Sequence, residues 1–217
     1  FDNEGADIIV LNGNINNVYK DFEKVIFPAD MVEIQSSNSI RRIQMIDSSG
    51  SRFSQVIWLS DQQKLPKELD SFTPATKEEL QMWRVKQGLF FEIDKNNQDI
   101  NPFELGYSEL IDLDKGCYLG QEVIAKLVRS TSLKMQLRVW ESAAIKKKGQ
   151  LIFKRVGSKL SERNVGLILS NFYSNKDRSF SGLALIRSSS LDEKVLYCSD
   201  NHPLMITFPI DFNLPYH

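Results

Sequence analysis

The chain has 217 residues, a net charge of −1, 41% hydrophobic and 25% charged residues. That balance allows a sizeable core and excludes a chain-wide basic surface for nucleic acid or an anionic membrane. Its two cysteines, Cys117 and Cys198, and two histidines, His202 and His217, exclude a disulfide framework and a Cys/His zinc spacing and point to a reducing compartment.

Taken in chain order, DIIVLN (7–12) reads as a buried strand. In the segment that follows, Ile15, Val18, Tyr19, Phe22, Val25 and Ile26 recur at three and four residues, which predicts a helix capped by Asn14. Pro28 then turns the chain. MVEIQ (31–35) and IRRIQMID (40–47) alternate around the polar SSNS and predict a hairpin, with QVIWLS (55–60) as a third strand. After a loop at 66–75, Thr76 with Glu79 forms a capping-box signature, and Gly88 marks the far end of a second helix. The polar stretch 94–109 reads as a long loop, with Pro102 and Gly106 in it.

Beyond residue 132 the pattern changes. KMQLRVWE, GQLIFKR, NVGLILSN, SFSGLALIRS, KVLYCS and PLMITFP are short apolar or alternating runs broken by Gly, Ser, Asn and Asp. They predict an antiparallel barrel or sandwich of about six strands. The fold class is therefore α+β, with domains at 1–132 and 133–217. Lys146–Lys147–Lys148 reads as a solvated turn. No run approaches the roughly 20 apolar residues that span a bilayer, and no signal peptide is visible.

Among candidate sites, DKGCYLGQE (114–122) stands out. A thiol just ahead of a helix lies near its positive end and its free N–H groups, which favour thiolate, and Lys115 adds charge. The alternative is that Cys117 is simply a small residue in a turn between Gly116 and Gly120. Trp58 and Trp83 could stack on a flat ligand or belong to the core. Arg84 could face an anion or water, and Glu104 could accept from an amino-substituted heterocycle or be a surface charge.

Lys115, Gly116, Cys117, Tyr118, Gly120, Gln121 and Glu122 together match the K-G-C-[FY]-x-G-Q-E signature. The chain thereby resembles the YgfZ-type folate-binding proteins, relatives of the glycine cleavage T-protein (aminomethyltransferase). FPADMVEI (27–34), WRVKQGLFF (83–91), PFELG (102–106) and NVGLILSNFYSNKDRSFSGLALIR (164–187) resemble further family segments. T-proteins typically carry Asp and Arg where this chain has Cys117 and Gln121, and Lys86 stands where the family has a pterin-contacting glutamate. Lysine offers no acceptor, which weakens the implied tetrahydrofolate site.

The resemblance implies a folate-binding domain whose N-terminal part lies upstream of Phe1, followed by a small C-terminal barrel. It implies Trp83, Arg84 and Glu104 as folate contacts and Cys117 as a functional thiol. It also implies iron–sulfur client or assembly proteins as partners, with no direct nucleic-acid or membrane contact. The location would be cytoplasmic in a bacterium, or mitochondrial or plastid in a eukaryote. Folate-dependent one-carbon transfer and a cofactor-free interaction module are the alternatives.

Overall fold

The computed structural model describes residues 8–10, 14–35, 38–46, 55–90, 100–116, 120–129 and 133–214. These fall into two compact units, one of residues up to Met45 with Val56–Ser71, the other the remainder of the chain.

In the first unit, α1 (Ile15–Glu23) begins where expected, with Asn14 Oδ1 accepting from the Asn16 N–H at 2.9 Å. A 3-10 turn at Pro28–Asp30 follows. The predicted hairpin of 31–35 with 40–47 is not formed. Met31 takes a left-handed φ of 50°, and 31–35 has no ladder partner among the described residues. Instead β1 (Ile40–Gln44) pairs antiparallel with β2 (Val56–Ser60), setting Arg42 opposite Trp58. The guanidinium lies 5.8 Å from that indole ring, a cation–π pair on an exposed ribbon. Residues 8–10 carry no strand, and the rest of the expected first strand lies outside the described residues.

In the second unit, α2 (Lys77–Lys86) realises its capping box. Thr76 Oγ1 accepts from the Glu79 N–H at 3.2 Å, while the Glu79 carboxylate accepts from the Thr76 N–H at 2.8 Å. Such a cap contributes about 1 kcal/mol. Gly88 ends the helix with φ +67°, packed against Pro209 so closely that no Cβ would fit. α3 (Gln121–Arg129) comes next.

The remaining strands are β3 (Met135–Ser142), β4 (Leu151–Phe153), β5 (Arg155–Val156), β6 (Lys159–Leu160), β7 (Gly166–Ile168), β8 (Phe172–Ser174), β9 (Ser179–Arg187), β10 (Val195–Cys198) and β11 (Pro203–Thr207). Six of them close a ring in the order β3-β11-β10-β4-β7-β9, returning to β3 by antiparallel pairing. Closure removes the open edges that a six-stranded sheet would otherwise present. β8 adds to β9 outside the ring, and β5–β6 forms a separate ribbon.

Two cores explain why 183–186 in β9 reads as an unbroken apolar run. Ala184 and Ile186 join Trp140, Ile152, Ile168, Leu196 and Leu204 in one cluster. Leu183 and Leu185 join Val85, Phe90, Leu105, Leu137 and Val139 in the other. A strand covered on both faces loses its polar alternation. Gly182 sits where β9 crosses beside the Ser170 carbonyl, too close for any side chain.

The solvated turn expected at 146–148 needs correction. Lys147 and Lys148 are exposed, but Lys146 is fully buried, its Nζ 2.7 Å from Asp200 Oδ2. The apolar stem packs inward, and the Asp200 carboxylate offsets desolvation of the head group. Among the described residues, no helix is long and apolar enough to cross a membrane.

Candidate functional site

The 114–122 motif is built around the start of α3. Asp112 Oδ1 accepts from the N–H groups of Asp114 (2.9 Å) and Lys115 (3.1 Å). This Asx-type turn fixes the chain just ahead of the motif. On the far side, Gly120 adopts φ +87°, a conformation that disfavours any side chain, and its carbonyl accepts from the Ile124 N–H at 3.0 Å. Gln121 then folds back, Nε2 donating to the Leu113 carbonyl at 3.3 Å. The motif is thus tied at both ends, just ahead of a nine-residue helix.

Lys115 and Gly116 are exposed, and Glu122 forms a solvent-exposed pair with Lys126 at 3.0 Å. Such a pair contributes a few tenths of a kcal/mol, about 0.3–0.5. Cys117 and Tyr118 lie outside the described residues. Cys198 is fully buried, and burial pushes its thiol up to about 11 against the smaller pull of Lys146. It is therefore a core residue and chemically quiet near neutral pH.

α2 and the 101–107 turn carry the other expected positions. Trp83 is half-buried, and Arg84 and Lys86 are exposed on the same helix. Glu104 is buried, and each of its carboxylate oxygens accepts one backbone hydrogen bond. Oε1 accepts from the Met135 N–H at 3.2 Å and Oε2 from the Asn101 N–H at 3.4 Å. Its own carbonyl accepts from the Leu137 N–H at 2.7 Å. Glu104 thereby pins the turn to the first residues of β3.

Tyr107 was not singled out by its sequence context, yet it ties this turn to the end of α2. Its hydroxyl donates to the Gly88 carbonyl at 2.8 Å and accepts from the Phe90 N–H at 3.0 Å. A second unforeseen group is Arg138, fully buried, with Nη1 donating to the Leu137 carbonyl and Nη2 to Gln136 Oε1. The Phe208 ring lies 3.7 Å from its guanidinium carbon and burial brings its pKa down to about 10. An arginine within a strand gives no sequence signal that aromatic residues 70 positions on will cover it.

Among the described residues no three His, Cys, Asp or Glu side chains converge to hold a metal. What these observations define is a mixed helix-and-strand chain with a closed six-stranded antiparallel barrel and a pinned motif turn opening α3. Among solved structures it is similar to the glycine cleavage system aminomethyltransferase T from Bartonella henselae, at 11% identity and a TM-score of 0.47. The match covers 62% of this chain but only 38% of that one. No family model and no curated protein matches the sequence.

Proposed function

We propose that this protein is a folate-binding accessory factor that supports the assembly or repair of iron–sulfur clusters in client enzymes, with Cys117 as its working thiol. The observation that carries this is the 114–122 motif, matched at seven positions and anchored by Asp112 and Gln121 ahead of α3. The thiol gives up its proton to solvent, favoured by the helix start and by Lys115; the thiolate fills an open coordination site on an iron of the client cluster and leaves when a client cysteine takes that site. One thiolate cannot hold a conventional cluster alone, so the client's own cysteines supply the remaining ligands. Client enzymes of this kind include radical tRNA-modifying enzymes.

The folate side of the reading fits unevenly. Exposed Arg84 suits the glutamyl carboxylates, and half-buried Trp83 suits a ring face. The pterin edge wants a carboxylate, yet Glu104 already serves two backbone amides, and Lys86 has no acceptor. That buried carboxylate, turned to backbone amides, favours a second reading, a cofactor-free interaction module that retains the fold. Folate-dependent one-carbon transfer, the enzymatic alternative, lacks the motif carboxylate that Cys117 replaces.

Titration with tetrahydrofolate separates the first two readings. Tryptophan fluorescence is expected to quench saturably, with the response lost in Trp83→Phe. Arg84→Ala should weaken binding about fivefold to tenfold, the loss of one charge-assisted contact. Unchanged fluorescence at high micromolar ligand, with calorimetry also silent, would leave only the interaction module.

A further inference from the structure

A groove of about 720 Å³ crosses the barrel between β4 and the 161–165 segment, with Arg187 at the end of β9. Its cations are Lys154, Arg163 and Arg187, against the single carboxylate of Glu162. Among the described residues none of the three cations enters an ion pair; Arg187 Nε donates to the Asn164 carbonyl at 3.2 Å. The floor is apolar, with Leu151 46% exposed and Phe153 half-buried.

Hydrogen bonds to the backbone hold the walls. The Ser161 N–H donates to the Lys154 carbonyl at 2.8 Å, and Ser161 Oγ donates to the Arg163 carbonyl at 2.8 Å. The Arg187 N–H donates to the Val165 carbonyl at 2.7 Å. Backbone already held this way need not be ordered when a ligand arrives, which keeps the entropic cost of binding low.

We infer that this groove binds an acidic segment of a partner protein in which carboxylates flank an apolar side chain. Charge complementarity selects the sign: three cations to one carboxylate line a protein whose net charge is −1. The apolar floor selects the side chain. A single-stranded nucleic acid would instead want a row of aromatic platforms beneath its bases, and among the described residues Phe153 is the only aromatic one lining this groove. The site is remote in sequence from the 114–122 motif and holds whether or not folate binds.

The test is fluorescence anisotropy with a short labelled peptide built from Asp, Glu and Leu. Binding is expected at low salt. It should weaken at least about tenfold in the Lys154→Glu/Arg163→Glu variant and fall steeply as salt rises above ~0.3 M. Exchanging Leu for Ser in the peptide should also weaken it. A retained thermal midpoint shows the variant folded; if it is lost, Arg163→Glu alone serves, with a weakening of about fivefold or more expected. Equal affinity of a folded charge-reversed variant, no binding to the native protein, or tighter binding of a labelled oligoribonucleotide would each overturn the proposal.

Discussion

Replacing Asp200 by alanine is expected to destabilise the protein by roughly 3 kcal/mol, the low end for breaking a buried ion pair. The cause is what remains. Lys146 is 0% exposed, and its ammonium loses the carboxylate oxygen 2.7 Å away. The low end is chosen because the Asp200 side chain is itself 34% exposed, so water can partly compensate. Removing the charge as well should reverse most of the loss. Lys146→Met/Asp200→Ala is expected to melt close to the native protein, since an apolar side chain of similar length fills the same space. Chemical denaturation of the two single variants and the double variant measures this directly, and a double variant as unstable as Asp200→Ala would reject it.

The pH dependence has a definite sign. Burial alone would raise the Asp200 pKa. The hydrogen bond from Lys146, the His202 N–H and both neighbouring charges outweigh it and hold the group below the usual carboxylate range. A lowered folded pKa means the stability is present above the unfolded value and is lost as pH falls through the folded one. The native protein should therefore lose this contribution as pH falls below the ordinary carboxylate range, and the double variant should not show it.

Replacing Cys117 by alanine is expected to abolish support of cluster-enzyme activity in cells lacking the protein while leaving the fold in place. Both anchors of the motif are independent of the sulfur: Asp112 binds the amides of Asp114 and Lys115, and Gln121 binds the Leu113 carbonyl. Thermal stability should change by less than about 0.5 kcal/mol. Full activity in a folded Cys117→Ala protein would reduce the residue to turn filler. Cys117→Ser tests the same point more finely, because a hydroxyl of similar size is not ionised near neutral pH.

Several features of the chain were legible because local chemistry determines them. The Thr76/Glu79 capping box needs only adjacent residues, and it forms as written. The barrel strands were readable because Gly, Ser, Asn and Asp punctuate them at short intervals. What failed depended on pairings that no local pattern encodes. The 31–35 run alternates like a strand, yet β1 takes β2 as its partner. Lys146 resembles Lys147 and Lys148 until Asp200, far along the chain, closes on it. Glu104 could be an acceptor or a surface charge by its sequence context, and its burial against the Met135 and Asn101 amides is set by tertiary packing.

The most direct measurement is the pH dependence of iodoacetamide alkylation. It is simple to interpret because Cys198 is sealed in the barrel core with its pKa raised to about 11. The native protein should take up one equivalent rapidly, with a midpoint below the ~8.5 of an unperturbed thiol, and Cys117→Ala should take up none until denatured. A native protein that resists alkylation until unfolded, or reacts only above about pH 9, would contradict a working thiol at position 117.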